Sequence, residues 1–532
     1  MTKRIVKTLL AATVLSMGFA AAANAKTLVY CSEGSPEGFD PALYTAGTTF
    51  DASSKPIYSG LVQFEPGTTN VVPDLAESWE VSDDGLEYTF KLRPGVKFHS
   101  TDYFTPTRDL NADDVIFSFE RQMDSENAYN AYVEGASWEY FNGMSMPDLI
   151  ESIEKVDDMT VKFVLSRPEA PFVANLGMDF ASIFSKEYAD QLAEAGNESD
   201  LNQKPIGTGP FQFVAYQPDA VIRYKAHPDY YAGKQAIDDL VFAITTDASV
   251  RQQKLMAGEC HVMPYPNPAD VESLKSADGV EVMQQEGLNV GYLAYNTQQA
   301  PFDKPEVRKA LNMAINKQAI LDAVFQGAGQ AAKNPIPPTM WSYDDTIEDD
   351  PYDPEAAKKM LEEAGVSDLS MKVWAMPVQR PYNPNARRMA ELIQEDFAKI
   401  GVDVEIVSYE WGEYLERSKA TDRDGAVLLG WTGDNGDPDN FLAVLLGCDA
   451  VGGSNRAQWC NDEFNDLVMK AKSGEQEERA ALYKQAQEVF KREAPWATIA
   501  HSVVFMPMRD NVEGYVMDPL GGHNFEGVDI AE

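Results

Sequence analysis

Two charged side chains stand in loops that each follow a short apolar stretch. The first stretch is Met371-Lys-Val-Trp-Ala375, running into Met-Pro-Val-Gln-Arg380-Pro-Tyr382. The second is Ala426-Val-Leu-Leu-Gly430, running into Trp-Thr-Gly-Asp434-Asn-Gly-Asp-Pro438. Either residue alone reads as ordinary loop chemistry, and Asp-Asn-Gly is a turn sequence. Together, on one rim, a guanidinium and a carboxylate suit a small zwitterion. One would take its carboxylate and the other its ammonium.

The elements between the two loops must supply that rim. Asn385 is a good helix N-cap. Met389, Leu392, Ile393, Phe397 and Ile400 follow at helical spacing, and Gly401 ends the run. Val402, Val404 and Ile406 then alternate with Asp403 and Glu405, which predicts a strand. A second helix precedes the second loop. Parallel strands joined this way place their carboxyl ends on one edge, where open α/β sheets bind ligands. Asp353-Pro354 opens another helix and Gly365 closes it. In the N-terminal third the pattern is different. Leu86, Tyr88, Phe90 and Leu92 alternate with polar partners, as do Val161, Phe163 and Leu165, predicting partly antiparallel strands. The expected class is α/β, and roughly 507 mature residues call for two or three domains.

Residues 1–25 read as a secretory signal peptide. Lys3, Arg4 and Lys7 form its positive end, Leu9 to Ala21 its apolar run, and Ala23-Asn24-Ala25 its cleavage site. No later stretch reaches the ~20 apolar residues a membrane span needs. The mature chain is expected in the periplasm. Its four cysteines, Cys31, Cys260, Cys448 and Cys460, then suggest two disulfides. Three pairings are open. Cys448–Cys460 is the local choice, leaving Cys31–Cys260 as the long-range one.

The chain carries 44 Lys and Arg against 84 Asp and Glu, a formal charge of −40, and loss of the leader's three cations takes it to −43. Such a surface repels nucleic acid and anionic lipid. None of the five histidines lies in a metal-ligand spacing, no G-x-S-x-G elbow occurs, and no cysteine pair has zinc spacing. Gly207-Thr-Gly209-Pro lacks the third glycine of a dinucleotide loop and is expected to be a tight turn between domains. Asp434 to Asn440 misses the calcium-loop register, because Gly436 takes the third ligand position. No metal, cofactor or catalytic residue is expected.

Several further stretches carry a family resemblance over the chain from Lys26 onward. They are Leu28-Val-Tyr-Cys-Ser-Glu-Gly-Ser-Pro-Glu-Gly-Phe39, Leu75-Ala-Glu-Ser-Trp-Glu80, Leu110-Asn-Ala-Asp-Asp-Val115, Pro205-Ile-Gly-Thr-Gly-Pro-Phe211, Gly287-Leu-Asn-Val-Gly-Tyr292 and the two charged loops. With these the chain resembles the family 5 extracellular solute-binding proteins that serve peptide-importing ABC transporters. The Arg380 and Asp434 loops resemble its dipeptide-binding branch.

The resemblance implies a two-lobed periplasmic-binding-protein clamshell with an additional mixed α/β domain. Residues 26–59, 202–286 and 508–532 would form lobe I, 60–201 the additional domain, and 287–507 lobe II. Hinges would lie near Gly287–Thr297 and His501–Met508. Asp434 would hold a peptide ammonium and Arg380 its carboxylate. Thr45 and Gly47 would add contacts from the other lobe, Tyr382 and Trp431 would wall the side-chain pockets, and Thr432 and Gly433 belong to the same set. The chain would be a monomer that captures dipeptides and delivers them to an inner-membrane permease. Haem, a metal chelate or a longer peptide are the alternative cargoes, and a secreted hydrolase stands last.

Overall fold

The computed structural model describes residues 25–134 and 137–531, so the leader expected over residues 1–25 lies outside the described residues save for its last position. The architecture is mixed α/β in two lobes with an additional unit. One lobe is built on a sheet ordered Thr27–Tyr30, Asp239–Ala243, Val221–Ala226, Phe211–Gln217. The additional unit holds an antiparallel sheet ordered Ala76–Val81, Glu87–Leu92, Thr160–Leu165, Ile150–Asp157. The alternation of Tyr88, Phe90 and Leu92 is the cause: all three are buried.

The second lobe carries the strands that position the charged loops. Its sheet runs Trp496–Arg509, Asn289–Tyr295, Ala426–Thr432, Ser370–Trp374, Asp403–Val407, and Val280–Glu286 joins it by pairing with Trp496–Arg509. Ser370–Trp374 pairs in parallel with both Ala426–Thr432 and Asp403–Val407, so the two loops leave the sheet on one edge. Between them the helix Ala386–Lys399 starts where Asn385 accepts a hydrogen bond from Arg388 N at 2.9 Å. Met389, Ile393 and Phe397 are buried, and Gly401 follows with φ of +80°. The strand expected to end at Gly430 continues to Thr432. Asn289 and Val290 pair with Thr432 and Trp431, so neighbouring backbone extends it.

Trp496–Arg509 links the lobes. Its first half pairs with Asn289–Tyr295 and its second half with Val280–Glu286. Val262 bridges Met508 to Tyr30, tying that second half to the first lobe's sheet. The Gly207–Gly209 segment is a close approach of two backbones. A Cβ on Gly209 would lie 2.6 Å from the carbonyl carbon of Ile57, and Gly209 N donates to Ile57 O at 2.8 Å.

Cys31 is bonded to Cys260 and Cys448 to Cys460, with Cα separations of 5.8 and 4.7 Å. The second closes a short loop whose Ser454 and Arg456 reach the interlobe cavity. Opening it by Cys448→Ser/Cys460→Ser is expected to cost roughly 3 kcal/mol in the chain-entropy account. Denaturant midpoints check this, and an unchanged midpoint would refute it.

Candidate functional site

A cavity lies where the lobes meet, and both charged loops line it. Thr45, Gly47, Arg380, Tyr382, Trp431, Thr432 and Asp434 all face it. Gly433 does not. Its amide donates to Leu288 O at 2.8 Å, and a side chain there would strike Phe441 and Leu288, so the position serves packing behind the cavity.

Arg380 sits in a tight loop in which Arg380 N donates to Asn383 O at 3.1 Å and Asn383 N to Arg380 O at 3.0 Å. Its guanidinium is not isolated. Nη1 meets Glu33 Oε1 of the opposite lobe at 2.5 Å, with both side chains buried. Burial alone would lower the Arg380 pKa. Glu33 and the Tyr265 and Tyr382 hydroxyls outweigh it, so the net shift is upward. Nε is buried and lacks a hydrogen-bond partner among the described residues. Gly47 permits the close contact here, because a Cβ would lie 2.9 Å from Nη2.

Asp434 lines the same cavity. Its amide donates to Asn440 Oδ1 at 2.9 Å, and the same oxygen accepts from Trp431 Nε1 at 2.9 Å. Asn440 thus fixes an aromatic wall and a charged end together. Tyr140, from the additional unit, donates its hydroxyl to Asp434 Oδ2 at 2.7 Å, and its ring meets Trp431 edge-on at 5.8 Å. Burial pushes the Asp434 carboxyl up to about 7. The Tyr140 bond opposes that shift, Asp179 adds to it, and Lys55 opposes it. Lys55 pairs with Asp179 at 2.9 Å on the same wall.

Glu33, Tyr140 and Asn440 were not foreseen from the sequence. Glu33 and Tyr140 act on the charged loops from distant positions that no local spacing marks, whereas Asn440 lies only six residues after Asp434. Glu33 does lie inside the Leu28–Phe39 stretch that carries the family resemblance, which is the one signal that pointed there. Chemically, the cavity presents a cation already shared with one carboxylate and an acid poised near neutrality. No group of His, Cys, Asp and Glu fit to hold a metal occurs among the described residues, and no helix there is long and apolar enough to cross a membrane.

Comparisons with known proteins agree on one family. The model of bacterial extracellular solute-binding proteins, family 5, matches residues 70–453. The chain is 58% identical over 520 residues to the dipeptide-binding protein of Escherichia coli K12, covering 97% of each. It is 51% identical to haem-binding protein A of Haemophilus influenzae, covering 95% of this chain and 92% of that one. Among solved structures, a dipeptide-binding protein from Pseudoalteromonas sp. SM9913 in complex with Met-Leu superposes with a TM-score of 0.92. It shares 41% identity, over 95% of this chain and all of that one.

Proposed function

Because the chain belongs to the bacterial extracellular solute-binding proteins of family 5, we propose that it captures dipeptides in the periplasm for an ABC importer. The observation that carries this reading is the cavity itself, whose lining brings together the buried guanidinium of Arg380 and the buried carboxyl of Asp434. The dipeptide-binding proteins of Escherichia coli and Pseudoalteromonas named above support the same cargo.

In this reading the ligand carboxylate takes the Nε–Nη2 edge of Arg380, because Glu33 already holds Nη1. Asp434 takes the ammonium and gives up any proton it carries. Thr45 and Gly47 close over the backbone from the facing lobe, and Tyr382 and Trp431 flank the side chains. The segments 26–59, 202–286 and 508–532 move as lobe I against 287–507, with 60–201 as the additional domain. Hinge motion occurs where Trp496–Arg509 passes between the sheets. Closure removes water from both ion pairs, which strengthens them, and each charge must then stay paired. The closed surface is what the permease recognises, since the open form lacks it. The protein binds and returns its ligand unchanged. The leader is removed after Ala25, leaving Lys26 first.

Calorimetry with Ala-Ala, a free amino acid, a tetrapeptide and haem tests the cargo. Ala-Ala is expected to bind most tightly and to be recovered intact by mass spectrometry. Equal affinity for the tetrapeptide would defeat the two-ended selection, tighter haem binding would replace the cargo, and a cleaved dipeptide would make the protein a hydrolase.

Affinity is also expected to depend on pH. Burial pushes Asp434 up to about 7, yet it must be ionised to meet an ammonium. Dipeptide affinity should therefore rise by up to about tenfold per pH unit between pH 5 and 7 and level off above. Without ligand the sign reverses. A raised carboxyl pKa stabilises the folded state below the unfolded value, and that contribution disappears as pH rises through about 7. Asp434→Asn should accordingly gain in melting temperature relative to wild type between pH 5 and 8. Parallel profiles for the two proteins would contradict the assignment.

A further inference from the structure

The two ends of the cavity account for the peptide termini, and its flanks must account for the side chains. One flank is made of Tyr292, Tyr382, Trp411, Leu415 and Leu429, with Arg456 set into it. Arg456 is only 2% exposed. It lies inside the loop closed by the Cys448–Cys460 disulfide. Nε donates to Ser418 Oγ at 3.0 Å and Nη1 to Gly453 O, while Arg423 Nη2 donates to the Arg456 carbonyl at 2.7 Å. Among the described residues Arg456 makes no ion pair, and Nη2 makes no hydrogen bond.

The acids nearby are otherwise engaged. Glu139 pairs with Lys419 and accepts from Ser454 Oγ at 3.1 Å. Burial pushes Glu37 up to about 7, with Lys419 and Arg456 opposing the rise. The opposite flank is balanced, because Lys55 there has Asp179 at 2.9 Å. Arg456 acts on Glu139 and Glu37 through space, lowering the pKa of each, yet no carboxylate lies within ion-pair distance of its guanidinium among the described residues. A buried charge in that state is costly until something pairs with it, and a carboxylate is the matching acceptor for a guanidinium.

We propose that Arg456 determines side-chain specificity, favouring dipeptides that carry an acidic side chain whose carboxylate accepts a hydrogen bond from Nη2. This rests on the dipeptide reading of the cavity. It adds what the termini cannot supply, a preference among dipeptides of equal length.

Competition calorimetry with the isosteric pairs Ala-Glu/Ala-Gln and Glu-Ala/Gln-Ala tests it on the wild-type protein. Glu and Gln match in shape, so each ratio isolates the charge. In one of the two pairs the Glu member is expected to bind on the order of tenfold more tightly, the scale of one charge-assisted hydrogen bond. In Arg456→Gln that ratio should fall to about one, and in Arg456→Lys part of it should survive, with melting curves confirming folded protein. Tight binding of the Gln members with no Glu preference in either pair would overturn this inference alone. So would a ratio that persists in Arg456→Gln. Failure of all four dipeptides to bind wild type would remove the dipeptide reading and this inference with it.

Discussion

Arg380→Met should weaken dipeptide binding by roughly thirtyfold to several thousandfold. Either terminal charge, buried without its partner, typically costs ~2–5 kcal/mol, and ~1.4 kcal/mol is one decade in affinity. Lys should not restore function, because it lacks the planar fork that serves Glu33 and the ligand at once. The single variant also orphans Glu33, whose Oε1 is held by Arg380 Nη1 at 2.5 Å. The cleaner comparison is therefore the double variant Glu33→Gln/Arg380→Met, which leaves no buried carboxylate from that pair. Asp434→Asn keeps shape, retains an acceptor for the Tyr140 hydroxyl, and removes the ammonium's counter-charge. Blocked ligands then separate the two ends. A C-terminally amidated dipeptide should bind wild type poorly and lose little more in the double variant. An N-acetylated dipeptide should behave likewise with Asp434→Asn. If the amide binds wild type as tightly as the free acid, Arg380 is not the carboxylate end.

The second large effect concerns the support behind Asp434. Lys472 is 1% exposed and bridges Glu169 at 3.0 Å and Asp439 at 2.8 Å, both buried. Asp439 begins the helix Asp439–Leu446 directly after the Asp434 loop, and Glu169 belongs to the additional unit. Lys472→Met leaves two carboxylates facing each other without a cation. Breaking such a buried set costs about 3–5 kcal/mol. The cost should grow with pH. Burial raises the Glu169 pKa, and Lys472 is what opposes the rise, so its removal favours a proton that the folded state holds and the unfolded chain releases. Urea midpoints at pH 5 and pH 8 should diverge, with the larger loss at pH 8. The triple variant Glu169→Gln/Asp439→Asn/Lys472→Met removes every charge and should recover most of the lost stability. If it is as unstable as Lys472→Met, packing and not uncompensated charge explains the defect. Dipeptide binding by the single variant should fall as well, because the loop carrying Asp434 loses its anchor.

Much of the frame was legible in the residues. Local signals set it: Asn385 and Asp353 accept the N-terminal amides of their helices at 2.9 Å, and the alternation around Val402 to Ile406 becomes the strand Asp403–Val407. The order strand, helix, strand, helix, strand then requires parallel neighbours, so the common edge of the Arg380 and Asp434 loops follows from connectivity. The disulfide pairs followed from locality and remainder. The state of the two charges was not legible. Arg380 and Glu33 are 347 residues apart, and Tyr140 and Asp434 are 294 apart. Backbone period and capping report only neighbours within a few positions, so nothing local marks these partners. Nor does the sequence show which arginine will be buried against a carboxylate, as Arg380 is, and which with none in ion-pair contact among the described residues, as Arg456 is. Burial sets the sign and size of those electrostatic effects, and burial exists only once the two lobes and the additional unit are packed around one cavity.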